Sequence, residues 1–171
     1  MAILNDASEI IRIFTVGGTI DKIYFDAKSA YEVGPPNIGE ILGGLKLNPA
    51  FAVTPLMQKD SLDMDDADRT LIKEAVGNSV DKRIIITHGT DTMVQTAERL
   101  GELAVANGQT IVLTGALEPA RFKTSDAMFN IGAAITAVQI LPPGVYITMN
   151  GQVFDYDKVV KDVEQGRFVS L

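Results

Sequence analysis

Three apolar runs in this chain end in small and hydroxyl-bearing residues. Ile10 to Val16 gives way to Gly17-Gly18-Thr19-Ile20, Arg83 to Thr87 gives way to His88-Gly89-Thr90-Asp91-Thr92, and Thr110 to Leu113 gives way to Thr114-Gly115-Ala116. A fourth stretch, Lys59-Asp60-Ser61-Leu62-Asp63, follows the run Phe51 to Met57 and is dense in acids. Hydroxyls and carboxylates delivered onto turns by rigid strands are the usual way a scaffold presents reactive groups. A threonine hydroxyl is a poor nucleophile at neutral pH and needs a base or a lowered pKa. Glycines at such turns let the backbone approach a ligand, and helix N-termini supply N–H donors for an anion or a developing oxyanion. No serine elbow and no histidine–carboxylate cluster competes for this role. His88 is the single histidine, has no cysteine partner anywhere, and is expected to be packed or hydrogen-bonded instead of ligating a metal.

The elements that must position these residues alternate. Ile10 to Val16 is nearly continuous in apolar residues, as expected of a parallel strand covered on both faces. Asp21 to Pro36 loses periodicity, carries Tyr24, Phe25 and Tyr31, and reads as an irregular loop able to act as a lid. A short helix from Ile38 to Leu45 precedes a second strand, Phe51 to Met57, with Pro49 and Pro55 limiting how centrally it can pair. A helix over 66–79 places Leu71, Ile72, Ala75 and Val76 on one face, with acids at its positive end. After the third strand, Thr92 and Gln95 have capping-box spacing before a helix whose Met93, Ala97, Leu100 and Ala104 stripe faces the sheet and which stops at Asn107-Gly108. Thr110 to Thr114, Ser125 to Leu141 and Val145 to Met149 add a strand, a helix and a strand; Asn150-Gly151 then predicts a hairpin into Gln152 to Phe154, and Tyr156 to Leu171 reads as a polar end. This alternation implies an α/β fold, an open, mostly parallel sheet flanked by helices on both faces in a three-layer Rossmann- or flavodoxin-like arrangement with a C-terminal β-hairpin. In such a sheet, ligands bind beyond the carboxyl ends of the strands, so the motifs above should converge.

Composition narrows the classes. At 171 residues the chain is expected to form one domain, burying roughly 70% of the surface its unfolded form exposes. A net charge of −7 with scattered Lys and Arg argues against nucleic acid. Met1 to Glu9 lacks a basic n-region, and no apolar run approaches the roughly 20 residues of a membrane span, so a cytoplasmic location is expected. With no cysteines, disulfides, thiolate metal sites and a cysteine nucleophile are excluded.

Taken together in order, Thr15-Val16-Gly17-Gly18-Thr19-Ile20, Asp60-Ser61-Leu62-Asp63-Met64, Ile86-Thr87-His88-Gly89-Thr90-Asp91-Thr92-Met93 and Leu113-Thr114-Gly115-Ala116 with Pro119 resemble the bacterial L-asparaginase and glutaminase-asparaginase family. The resemblance covers the family's N-terminal domain; family members usually continue into a second domain of similar size, whereas this sequence ends at Leu171. It implies hydrolysis of L-asparagine, and more weakly of L-glutamine, through a threonine acyl-enzyme, with no metal or organic cofactor and in a homo-oligomer, a dimer or tetramer.

Residue by residue, the resemblance makes Thr19 the nucleophile, and Thr90 with Asp91 and Lys161 a relay; the sequence leaves open which threonine attacks first. Ser61 would grip the substrate α-carboxylate with backbone donors, Asp60 and Asp91 would hold its α-ammonium, Ala116 would lie beside the amide, and Gly89 would be a further substrate-binding residue. The lid tyrosine would be Tyr31, which fits the local pattern, or Tyr24, which lies nearer Thr19. Val16, Glu118 and Asp157-Lys158 depart from the family pattern, and Lys158 is an alternative to Lys161. Two rivals are an amidotransferase component that passes ammonia to a partner protein, and an amino-acid binding module without turnover.

Overall fold

In the computed structural model, which describes residues 9–171, the first apolar run forms β1, Ile11–Gly17. It is followed by a 3-10 turn, Thr19–Asp21, and by two short strands, β2 (Lys22–Phe25) and β3 (Ala30–Val33). The chain continues through α1 (Ile38–Gly43), β4 (Phe51–Lys59), a 3-10 turn at Ser61–Asp63, α2 (Asp66–Asn78), β5 (Arg83–Thr87) and α3 (Met93–Asn107). It ends in β6 (Thr110–Thr114), α4 (Ala127–Ile140), β7 (Gly144–Met149), β8 (Gln152–Asp155), β9 (Val159–Asp162) and β10 (Arg167–Ser170). The stretch Met1 to Glu9 used to judge targeting lies, up to residue 8, outside the described residues.

The main sheet has the strand order β4-β1-β5-β6-β7-β8, parallel throughout except for β8, which runs antiparallel to β7. Side chains alternate between two cores because a strand projects successive residues to opposite faces. Phe14, Val16, Ile84, Ile86, Ile111 and Leu113 point to the face carrying Ile72 and Val76 of α2 and Met93, Ala97, Leu100 and Ala104 of α3. Ile11, Ile13, Ile85 and Val112 point to the other, where Ile38 and Leu42 of α1 and Ile131, Ala134 and Val138 of α4 cover them. The expected three layers and the expected α3 stripe are therefore present, and β4, with its prolines, is an edge strand.

Local chemistry explains two of the element ends. Asp65 caps α2 by accepting from Asp68 N–H at 2.9 Å, and Asp68 returns the bond to Asp65 N–H at 3.0 Å, a capping box that suits the positive end of the helix. Asn150 (φ 54°) and Gly151 (φ 77°) supply the two left-handed residues of the β7–β8 turn.

Four details differ from expectation. The lid stretch is not irregular: β2 and β3 pair as an antiparallel hairpin. The polar end is also a hairpin, β9–β10, because Val159 and Phe168, each 3% exposed, insert into the core over α3 and leave their neighbours in solvent. Leu71 lies on the exposed side of α2 while Ile72 and Val76 are buried. Thr92 makes no cap bond; its hydroxyl donates instead to the Ser61 carbonyl at 2.8 Å.

Candidate active site

Strand order places the switch point between β1 and β5, since the chain leaves β1 for β4 on one side and then crosses to β5 on the other. A register shift between Thr15 and Gly17 against β4 bends the end of β1, and Gly18 N–H then bonds the Lys59 carbonyl at 2.9 Å. Gly17 and Gly18 have φ of 105° and 89°, a backbone that side chains disfavour, and each lies where a Cβ would strike a neighbouring main chain: Lys59 for Gly17, Gly89 for Gly18. Gly89 in turn sits against Ser61, whose Cβ and Oγ would lie 2.6 Å from an added Cβ, and Gly115 against the His88 carbonyl. His88 N–H reaches the Thr114 carbonyl at 2.9 Å. Glycine contacts thus bring all four sequence motifs to one sheet edge, with Thr19 and Thr90 each one residue beyond the touching pair Gly18 and Gly89.

Beneath this cradle His88 is fully buried. Its Nδ1 faces the Gly89 carbonyl at 2.7 Å and must carry the proton, so Nε2 accepts from the Thr96 hydroxyl at 2.8 Å. Burial holds its pKa down at about 4, and the imidazole is a neutral strut. Among the described residues, no group of three or more His, Cys, Asp or Glu is arranged to hold a metal ion.

Charge arrives from the two hairpins. Lys161 of β9 donates to Thr90 Oγ1 at 2.8 Å and to Asp91 Oδ1 at 2.6 Å. It faces inward because Val159, two residues earlier on the same side of β9, is anchored in the core, while the Lys158 ammonium pairs with Asp155 at 3.0 Å. Lys22 of β2 pairs with Asp60 Oδ2 at 2.7 Å. Burial alone would raise the Asp60 carboxyl, but Lys22, the Leu62 N–H and Lys161 together leave it below the usual carboxylate range. Ser61 is buried, and its Oγ has no partner among the described residues.

The remaining predicted residues are placed less centrally. Ala116 is buried in the core beneath α4, leaving its backbone nearest the β6 end. Tyr24 and Tyr31 face one another across the β2–β3 hairpin with ring centroids 5.5 Å apart, and Tyr31 leans edge-on against Phe122 at 5.8 Å. Both rings are about half exposed, and among the described residues neither hydroxyl bonds to a threonine of the site. Two residues escaped the sequence reading. Lys22 could have been noticed as a cation immediately past the Gly-Gly-Thr motif. Asp21 is the other: its Oδ1 accepts from Asn37 N–H at 2.8 Å and ties the base of the hairpin to α1, a long-range contact with no local signature. Burial raises the Asp21 pKa to about 6 despite the hydrogen bonds from Asn37.

A model of the family described as "Asparaginase, N-terminal" matches residues 10–167. The chain belongs to the asparaginase family. L-asparaginase 2 of Escherichia coli is 31% identical over 160 residues, covering 88% of this chain and 46% of that protein. A glutamyl-tRNA(Gln) amidotransferase subunit from Methanococcus vannielii is 40% identical over 84 residues, 49% of this chain and 19% of that one. The asparaginase-family fold is shared with the thermostable L-asparaginase from Thermococcus kodakarensis, at a TM-score of 0.81 and 24% identity over 94% of this chain and 51% of that one. The probable cytoplasmic L-asparaginase from Campylobacter jejuni superposes with a TM-score of 0.75 at 24% identity, over 95% and 52% of the two chains. The chain spans about half the length of the full-length asparaginases it matches. No helix among the described residues is long and apolar enough to cross a membrane.

Proposed function

We propose that this chain is an amidohydrolase acting on a small amide of the asparagine class, with Thr19 as nucleophile. The observation that carries the reading is Lys161 held between Thr90 and Asp91 at the same strand ends that present Thr19. Thr19 Oγ attacks the amide carbonyl as its proton passes to the Thr90–Lys161 pair, the C–N bond breaks, and that proton is returned to the departing nitrogen so that ammonia leaves. The resulting ester is then hydrolysed by water, freeing the carboxylate product and restoring the threonine. Asp91 holds the lysine in place, and the backbone N–H groups of the glycine cradle are the donors at hand for the developing oxyanion. Ser61, buried and with its hydroxyl unpaired, receives the substrate carboxylate. The β2–β3 hairpin, carrying Tyr24 and Tyr31, is the lid.

The test is ammonia release from L-asparagine and L-glutamine by the purified chain beside Thr19→Ala and Thr90→Ala. The reading expects turnover that each substitution lowers by about a thousandfold or more. Turnover that survives either change would refute it.

The likeness to the amidotransferase protein favours a second reading, in which the ammonia passes to a partner protein; it predicts little free ammonia from the chain alone and a rise on adding that partner. The cytoplasm is the proposed location. A homo-oligomer is proposed on the exposed apolar face of α4, where Met128, Phe129 and Ile140 lie beside Val153 of β8. Light scattering that finds a monomer at micromolar concentration would overturn that assembly.

A further inference from the structure

The acids and lysines of the site are already matched. Asp91 is held by Lys161 at 2.6 Å and Asp60 by Lys22 at 2.7 Å. Both members of the second pair are about one-quarter exposed, side chains at 27% and 26%, so the pair is neither a solvated surface contact nor a buried one beyond a ligand's reach. Lys22 is positioned by the turn itself. It is the first residue after the 3-10 turn that begins at Thr19, and its N–H bonds the Thr19 carbonyl; its backbone is then locked opposite Val33 in the hairpin. Its ammonium therefore sits where the site would otherwise offer a free carboxylate to a cation, three residues past the hydroxyl that attacks.

A free α-amino acid brings its own ammonium. To reach Asp60 it must either displace Lys22 or stand beside it as a second cation at one carboxylate, and the Asp91 carboxylate is likewise already paired, with Lys161; like charges set side by side discriminate strongly against a ligand. An amide whose α-position is uncharged meets no such obstacle, and the Lys22–Asp60 pair stays intact when it binds. We infer that Lys22 is a specificity-determining residue that turns the site away from free asparagine and toward ω-amides whose α-amino group is absent or acylated. This inference rests on the amidohydrolase reading and names its substrate class. The reaction on the simplest such compound, succinamate, is addition of water across the amide C–N bond to give succinate and ammonia.

The experiment measures kcat/KM for L-asparagine, succinamate and N-acetyl-L-asparagine with the wild type, Lys22→Met and Lys22→Arg. The wild type is expected to prefer one of the two α-uncharged amides, and which one distinguishes an absent from an acylated amino group. Lys22→Met, which keeps the aliphatic stem, is expected to shift the ratio toward asparagine by about tenfold or more, and Lys22→Arg to hold the wild-type ratio. A wild type that prefers asparagine, or a ratio that Lys22→Met leaves within about twofold, overturns the inference. Calorimetric binding of succinate and L-aspartate to the same proteins keeps the two readings apart. If no amide is turned over yet succinate binds tighter than aspartate, and Lys22→Met erases the difference, the amidohydrolase reading falls while the charge discrimination stands. Equal binding of the two products by the wild type would overturn the discrimination as well.

Discussion

The site is made of two regions built on opposite principles. The strand-end cradle is closed by close backbone approach: Gly17, Gly18 and Gly115 lie against neighbouring main chain and Gly89 against the Ser61 side chain, with no room for a methyl group at any of the four glycines. The two hairpins that reach it, β2–β3 and β9–β10, are held by side chains instead: Asp21 with Asn37 and Lys22 with Asp60 for the first, Val159, Phe168 and Lys161 for the second. The cradle fixes where the hydroxyls stand, and the hairpins deliver the charges that act on them. Positioning is thus carried by backbone contact at the strand ends, and charge by side chains on the hairpins.

Substitutions can break this contrast at either side. Gly18→Ala is the most damaging expected, since it combines a φ of 89° with a Cβ driven onto the Gly89 backbone; a loss of about 5 kcal/mol should appear in urea unfolding. Phe168→Ala should cost about 4 kcal/mol through the cavity beneath β10 and loosen Lys161 on the paired strand. A loss at Phe168 close to zero would mean that the second hairpin does not depend on its core anchor.

The pH dependence sharpens the contrast. Asp21 has a folded pKa of about 6, above the 3.8 of an unperturbed carboxyl, so the folded state keeps its proton longer and stability falls as pH rises between these values. Asp21→Asn retains the Oδ1 acceptor and loses the charge, so its stability relative to wild type should grow between pH 4 and pH 7 by up to about 3 kcal/mol. His88 acts in the opposite sense: its folded pKa of about 4 lies below the ordinary 6.5, so its contribution is lost as pH falls through that window in both proteins and cancels in the comparison. A difference that stays flat would contradict the buried, charge-costly Asp21. The smallest effects are expected at the lid: Tyr24→Ala and Tyr31→Ala should each change stability by less than about 1 kcal/mol, because both rings are half in solvent.

The same contrast explains what the sequence disclosed. Strands such as Arg83–Thr87 and Thr110–Thr114 are legible because burial on both faces demands uninterrupted β-branched and aliphatic residues, and three of the four motifs stand out because glycine and threonine follow such runs, the fourth because acids and a serine do. The hairpins were hidden because their signal is small. β9 and β10 are four residues each and need only Val159 and Phe168 inward, a pattern that polar neighbours conceal, and β2–β3 turns on Ser29 in a left-handed conformation without the glycine that usually marks one. Thr92 had the spacing of a cap, but its hydroxyl was taken by the Ser61 carbonyl across the site, a tertiary contact that overrides a local preference. Lys22 and Asp60 lie far apart in sequence, and their pairing is visible only once the hairpin is in place.

The measurement that most directly tests the account is the amide turnover of Lys161→Met beside Lys158→Met, each checked for an unchanged circular dichroism spectrum. Lys161 spans Thr90 and Asp91, whereas Lys158 meets Asp155 in solvent, so the first variant should lose about a hundredfold or more in kcat and the second should stay within about twofold of wild type. Full activity in Lys161→Met, or an inactive Lys158→Met, would contradict the assignment of the relay and with it the claim that the β9–β10 hairpin completes the site.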